Sequence, residues 1–293
     1  MPSSELVVAE DRATRLCLSL GATAGALVAL AALLVPHSAG ITEFDEDVMA
    51  SMSAFRQPVL TSVAQIITGL GSLWPVTLFS IVVALVVGYR TQRLLEPAVM
   101  LAAVEVSTNL VGLIKMATGR ARPPLEGMLG APVFDYSFPS DHTASGTVVY
   151  VLGALMLTVT ESWNSRGRLL VPVGCVIGGL IGLSRVYLGY HWFSDVIGGW
   201  LLAAFVITIG MAFITATQRS DLDPRLHDAV PPPDALSRIT SLVVGYKPAR
   251  TLGAPPTGHR VRQLAQPGPA TSPGLPPRAR RSTPSNTARP SAS

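Results

Sequence analysis

The 293-residue sequence predicts an all-α, polytopic membrane protein, a six-transmembrane-helix bundle followed by a disordered C-terminal tail. Three observations carry that expectation. Only 14% of the residues are charged against 48% hydrophobic, whereas a soluble domain carries about 25% charged residues. Apolar runs recur along the chain that are long enough to cross a hydrocarbon core in helical form, which takes roughly 20 residues each. The composition then breaks near residue 218: the first 218 residues hold 11 Lys and Arg against 14 Asp and Glu, the last 75 hold 11 against 4. A nearly neutral apolar body thus precedes a basic tail. Collagen, a disulfide-stapled scaffold and, for the body, a disordered chain are excluded.

The elements follow in order. Residues 1–15, with Arg12 and Arg15, form a cytoplasmic N-terminus. The first span, 16–35, is free of charge and lacks a well-formed cleavage site, so it reads as a retained helix. Phe44, Val48, Met52 and Phe55 then recur at helical spacing among Asp45, Glu46 and Asp47. This is the pattern of a helix lying along the membrane surface, interrupted at Pro58 and turning back in over 59–70. Further spans are expected at 74–89, 97–116, 142–160, 169–187 and 195–215. Glu105 and Asn109, one turn apart in the third, read as a bundle-facing hydrogen-bonded pair.

Arg90 and Arg93, Arg166 and Arg168, and the tail arginines join Arg12 and Arg15 on one side of the membrane, which is therefore cytoplasmic. Both termini lie inside and the loop 117–141 faces out. The six-span membrane domain covers 16–218. The tail, 219–293, is rich in Pro and Arg and cannot bury enough apolar surface to offset its ordering entropy. Cys17 and Cys175, both in apolar runs, read as small buried hydrophobes. No HExxH or CxxC pattern is present, so no metal or cofactor is expected. Nothing in the sequence points to a nucleic-acid partner or sets an oligomeric state.

Ionisable residues near membrane spans are costly and suggest function. They gather at three places, all expected at the outer face. The third span ends in Lys115, Arg120 and Arg122, with Gly119 and Pro123 breaking the helix; arginine offers forked donors to phosphate and lysine a point charge. The fourth span opens on Ser137-Phe-Pro-Ser140-Asp141-His142. There Ser140 or Asp141 can cap the helix, its first N–H groups can hold an anion, and a histidine can pass a proton to a leaving group. The fifth and sixth spans meet at Ser184-Arg185 and His191 to Asp195. His191 and Asp195, four apart, share a face on one helix, so that Asp195 can hold one ring nitrogen and leave the other as nucleophile or base. Tyr187, Tyr190 and Trp192 read as an interfacial aromatic belt. Together these groups form an inventory for holding and attacking a phosphoryl group.

The three clusters resemble the motifs of the type 2 phosphatidic acid phosphatase (PAP2) family, which shares its site with vanadium haloperoxidases. K-x6-R-P stands at Lys115 to Pro123, P-S-G-H at Pro139 to His142 and S-R-x5-H-x3-D at Ser184 to Asp195. The resemblance covers roughly 60–215. It implies a membrane lipid phosphatase that needs no metal and acts on a lipid phosphate or diphosphate. His191 would attack phosphorus and form a phospho-histidine, Asp195 would orient its ring, and His142 would protonate the leaving group. Lys115, Arg122, Ser140 and Arg185 would bind the phosphoryl oxygens. Asp141 departs from the pattern, standing where the family has Gly. Its backbone N–H would remain a phosphate donor if the carboxylate turned away to cap the helix. Some bacterial members acting on polyprenyl diphosphates are similar here, which points toward a diphosphate lipid. The competing readings are phosphoryl transfer to another lipid or sugar acceptor, and a non-catalytic lipid-phosphate binder or transporter.

Overall fold

In the computed structural model the chain is described over residues 3–159 and 164–222, with side chains described for 11–158 and 169–218. The tail assigned to 219–293 falls almost wholly outside the described residues. Among the described residues the structure is helical throughout, with no strand.

Helix α1 (Ser3–Leu34) runs along α9 (Phe193–Leu222). The contact is built on small residues: Gly21 sits beneath Ile209 and Thr208, Gly25 beneath Phe205, and the Thr14 hydroxyl donates to Thr215 Oγ1 at 2.9 Å. Small side chains at such positions let two backbones approach where lipid offers no hydrophobic driving force. Between them come α2 (Ala39–Ala54), α3 (Pro58–Leu70), α4 (Leu73–Thr91), α5 (Leu95–Thr118) and α8 (Asn164–Tyr187). Among the described residues, five helices are long and apolar enough to cross a membrane: Asp11–Leu34, Leu73–Thr91, Leu95–Thr118, Leu169–Tyr187 and Phe193–Gln218.

The span expected at 142–160 is helical but interrupted. It begins as α6 (Asp141–Thr147), passes through a π turn at Val148–Leu152 and resumes as α7 (Gly153–Val159). The π turn is set by its surroundings: the Tyr150 hydroxyl donates to the Leu70 carbonyl at 3.0 Å, its ring packs on Phe79, and Gly174 of α8 lies against the Tyr150 backbone, where a Cβ would come within 2.7 Å. The buried core joins Val83, Met100, Val148, Leu152, Ile181 and Leu202 across five elements.

Four expectations change. On helix α2 the acidic residue Asp45 is fully buried and not on a solvated face, because it meets an arginine described below, while Phe44 and Phe55 stay exposed. Glu105 and Asn109 are hydrogen-bonded at 2.9 Å but lie on the exposed face of α5, since its buried face is taken by Met100, Ala103, Ser107 and Val111. Cys17 is half-buried and Cys175 exposed, both on outward helix faces that in a membrane protein meet lipid. Tyr187 and Tyr190 are buried, not interfacial: the Tyr187 hydroxyl accepts the Gln57 N–H at 3.1 Å, and Tyr190 lies under Arg185.

Candidate active site

The three polar clusters converge at one end of the bundle, joined through their backbones. Helix α5 stops at Gly119, whose φ of 58° is a left-handed cap that releases the chain sideways. Ser137 N–H then donates to the Arg120 carbonyl at 2.9 Å, the Thr118 hydroxyl to the Phe138 carbonyl at 3.3 Å, and Ser140 N–H to the Asp195 carbonyl at 3.1 Å. Gly198 and Gly199 of α9 make room for this: a Cβ on the first would strike the Phe138 ring at 2.4 Å, and on the second the Ser140 carbonyl at 2.9 Å.

His191 and Asp195 do not share one helix. α8 ends at Tyr187, Gly189 turns the chain with φ 79°, and α9 begins only at Phe193, which leaves His191 in the turn. Asp195 in the first turn reaches back to the Trp192 N–H at 2.9 Å, the side-chain half of a capping box, and this brings its Oδ2 to 3.3 Å from His191 Nδ1. The same oxygen accepts from the Ser137 hydroxyl at 2.5 Å. On the other side of the ring, Arg122 Nη1 lies 3.1 Å from His191 Nε2. Guanidinium can only donate, so Nε2 carries the lone pair and Nδ1 the proton that faces Asp195. Burial, reinforced by Arg122, Arg185 and Lys115, holds the His191 pKa well below the usual histidine value, which keeps that lone pair free of a proton.

The cations surround this nitrogen. Arg122 also donates to the Tyr190 carbonyl at 2.6 Å. Arg185 is buried, stacks over the Tyr190 ring at 4.1 Å and bonds the Thr68 hydroxyl at 3.0 Å through Nη1, while its buried Nε has no partner. The charges of Arg185, Lys115 and Arg122 bear on His142 at the start of α6. Gly71, at the α3–α4 corner, packs against the His142 backbone, where a Cβ would come within 2.9 Å of its carbonyl. Ser140 is fully buried at the N-cap of α6, but its hydroxyl accepts from Thr143 and does not cap the helix. The Asp141 carboxylate turns along α6 to accept from the Ser145 hydroxyl at 2.9 Å, so it neither caps nor touches a cation.

Three residues that the sequence reading left without an individual role, Arg120, Asp45 and Asp135, are central here. Arg120 is buried and bridges three partners: Asp195 Oδ1 at 2.5 Å, Ser194 Oγ at 2.7 Å and Asp45 Oδ2 at 2.6 Å. Asp45 in turn accepts the Ser194 N–H at 2.9 Å and the Ser194 hydroxyl at 2.5 Å. Helix α2 thereby anchors the carboxylate that orients His191. Asp135, in the loop before α6, takes both phosphate-type cations: Lys115 Nζ at 2.5 Å on Oδ2, and Arg122 Nη2 at 2.5 Å and Nε at 3.0 Å on Oδ1. Arg120 stood beside the recognised cations in sequence; Asp45 and Asp135 carried no local signal.

A family model of the PAP2 superfamily matches residues 93–219. Phosphatidylglycerophosphatase B of Bacillus subtilis is 30% identical over 179 residues, covering 60% of this chain and 86% of that protein. The chain belongs to the PAP2 superfamily. Undecaprenyl-diphosphatase of Sulfolobus acidocaldarius is 36% identical over 72 residues, which cover 25% of this chain and 31% of that protein. The crystal structure of a transmembrane PAP2-type phosphatidylglycerolphosphate phosphatase from Bacillus subtilis shares the fold, with a TM-score of 0.60 at 23% identity over 70% of this chain and 98% of that one. This PAP2 protein is thus a phosphatase with membrane-spanning apolar helices. An apolar groove between α5 and α9, lined by Leu95, Val99, Val106, Phe205 and Phe213, lies toward the helix ends remote from Lys115 and Asp195.

Proposed function

We propose that this PAP2 phosphatase hydrolyses a lipid phosphate or lipid diphosphate through a phospho-histidine on His191, using protein cations in place of a metal. The carrying observation is the His191 ring: Nδ1 faces a buried carboxylate and Nε2 faces a guanidinium within a cluster of cations. When substrate enters, the Arg122 donor now on Nε2 turns to a phosphoryl oxygen. The Nε2 lone pair attacks phosphorus, the P–N bond forms, and the P–O bond to the lipid or lipid phosphate breaks. Asp195 stabilises the imidazolium that results. Lys115, Arg122 and Arg185, with Ser140 nearby, hold the equatorial oxygens as their charge develops.

His142 donates the proton to the departing oxygen. A bound dianion sets negative charge against the cations around His142 and favours a proton on its ring. His142 is therefore armed by substrate. It then takes a proton from the water that breaks the P–N bond and releases phosphate. The names of the relatives support a phospholipid monoester or a polyprenyl diphosphate as substrate. The helical path from Asp141 to Val159 serves in this reading as the fourth of six spans. Both termini then lie in the cytoplasm and the site faces the extracytoplasmic side.

Detergent-purified protein is expected to release inorganic phosphate from phosphatidic acid, phosphatidylglycerophosphate or undecaprenyl diphosphate with EDTA present. His191→Ala is expected to lower that rate by at least about 10³-fold, as loss of a nucleophile does. Activity that persists in His191→Ala ends the phospho-histidine route, and activity abolished by EDTA ends the cation-only reading. Labelled lipid products other than free phosphate would favour transfer to another acceptor.

A further inference from the structure

The seat formed by Lys115 and Arg122 is already filled from within. The Asp135 carboxylate spans both cations, one oxygen on Lys115 and the other on Arg122. Arg122 Nε also holds the Asp135 carbonyl at 2.9 Å, so side chain and backbone of this loop residue are both engaged. The two cations outweigh the burial that would raise its pKa, and keep Asp135 ionised. Yet the Asp135 side chain is 54% exposed, and its neighbours Phe134 and Tyr136 are 81% and 49% exposed. The carboxylate can therefore leave the seat without uncovering core. The adjoining Ser137 stays fixed on Arg120 and Asp195.

From this geometry we infer that Asp135 is a specificity-determining residue, an internal anion that singly charged phosphodiesters fail to displace and that phosphomonoesters or diphosphates do displace. The inference rests on the phosphoryl-binding reading of the site. Asp135 is tethered, so it competes at high effective concentration and loses no translational freedom on binding. A phosphodiester brings one negative charge, which merely replaces the carboxylate's own. A phosphomonoester carries about −1.5 to −2 at neutral pH, and only that surplus charge makes the exchange favourable. Ordinary bilayer phospholipids are phosphodiesters in large excess over any monoester, so a phosphatase opening to the bilayer needs discrimination against them. Asp135 supplies it by repulsion, the negative half of specificity.

The test uses the full chain in detergent micelles, with dioctanoylphosphatidic acid as substrate and dioctanoylphosphatidylglycerol, a phosphodiester, as inhibitor. For Asp135→Asn, inhibition by the phosphodiester is expected to strengthen roughly tenfold, the scale of one charge-assisted hydrogen bond. The KM for phosphatidic acid is expected to fall less, and Asp135→Glu to restore exclusion. Inhibition that is unchanged or weaker in Asp135→Asn overturns the inference. Where that variant turns over too slowly, calorimetric binding of the same two lipids gives the same ratio. A merely structural role would move both affinities together and leave that ratio unaltered, which also overturns it. Wild-type protein that hydrolyses no lipid phosphate would defeat the functional reading instead; active wild type with an unaltered Asp135→Asn ratio defeats this inference alone.

Discussion

Arg120 carries the heaviest burden of any single residue. It is buried between two fully buried carboxylates, Asp45 and Asp195, and bonds both. Removing one member of a buried charge network leaves the others uncompensated, at a cost of about 3–5 kcal/mol. Arg120→Met is expected to lower stability by that order and kcat far more than KM, since Asp195 loses the bond on Oδ1 that fixes its carboxylate against His191. Thermal unfolding of the detergent-solubilised variant and steady-state phosphate release read the two effects; a variant with wild-type melting and wild-type kcat would refute the anchoring role. Lys115, Arg122, His142, Arg185, His191 and Asp195 were all legible in the sequence, because the spacing within each motif is short and the residue types are rare in apolar runs. Arg120 was visible but indistinguishable from a membrane-anchoring cation. Asp45 was hidden for a physical reason: its partners, Arg120 and Ser194, lie 75 and 149 positions away, and neither leaves a mark on the periodicity of α2.

At the scale of elements, catalytic geometry depends on how closely α9 approaches the chain before α6. Gly198 and Gly199 set that distance, with Phe138 under the first and the Ser140 carbonyl and Thr143 under the second. Gly199→Val is expected to force this segment outward, reducing stability by about 1–3 kcal/mol through overpacking. It should lower kcat/KM by up to about 10²-fold, because Ser140 and His142 would move relative to His191. Melting temperature and phosphate release distinguish the outcomes; unchanged kcat/KM would show that α9 does not set the site. The apolar runs made the helices readable, since length and lack of charge suffice for that. They did not reveal the π turn at Val148–Leu152, whose sequence, Val-Val-Tyr-Val-Leu, holds no Gly or Pro to mark a break. The turn comes from Tyr150 reaching Leu70 and from Gly174 admitting α8, both tertiary effects. Nor did helical spacing place His191 correctly. The four-residue interval to Asp195 read as one helix face, whereas a left-handed Gly189 and a reach-back cap create the same proximity from a turn.

For the whole molecule, the proposed orientation rests on where the cations lie. The ends of α5 and α8 and the starts of α6 and α9 meet where the backbones are joined, so the site occupies one end of the bundle. Among the described residues, the lysine and arginine side chains at that end are held in place: Lys115 and Arg122 with Asp135, Arg120 with two carboxylates, Arg185 on Tyr190, and Arg56 on the Tyr187 carbonyl at 3.1 Å. They are fixed by structure and should be left out when loop charge is used to read topology. Among the described residues, Arg90 in the last turn of α4, Arg93 just before α5, and Arg12 and Arg15 early in α1 lie at the other end, and the preference of such residues for the cytoplasm supports the proposed outward-facing site. The expectation is testable without activity. In a chain with Cys17 and Cys175 changed to alanine, Glu126→Cys should react with a membrane-impermeant maleimide added to intact cells, and Arg93→Cys only after permeabilisation. Glu126 is exposed in the loop between α5 and α6, so poor access would not explain failure. The opposite labelling pattern would place His191 and its cations on the cytoplasmic face, and the lipid substrate would then have to be drawn from the inner leaflet.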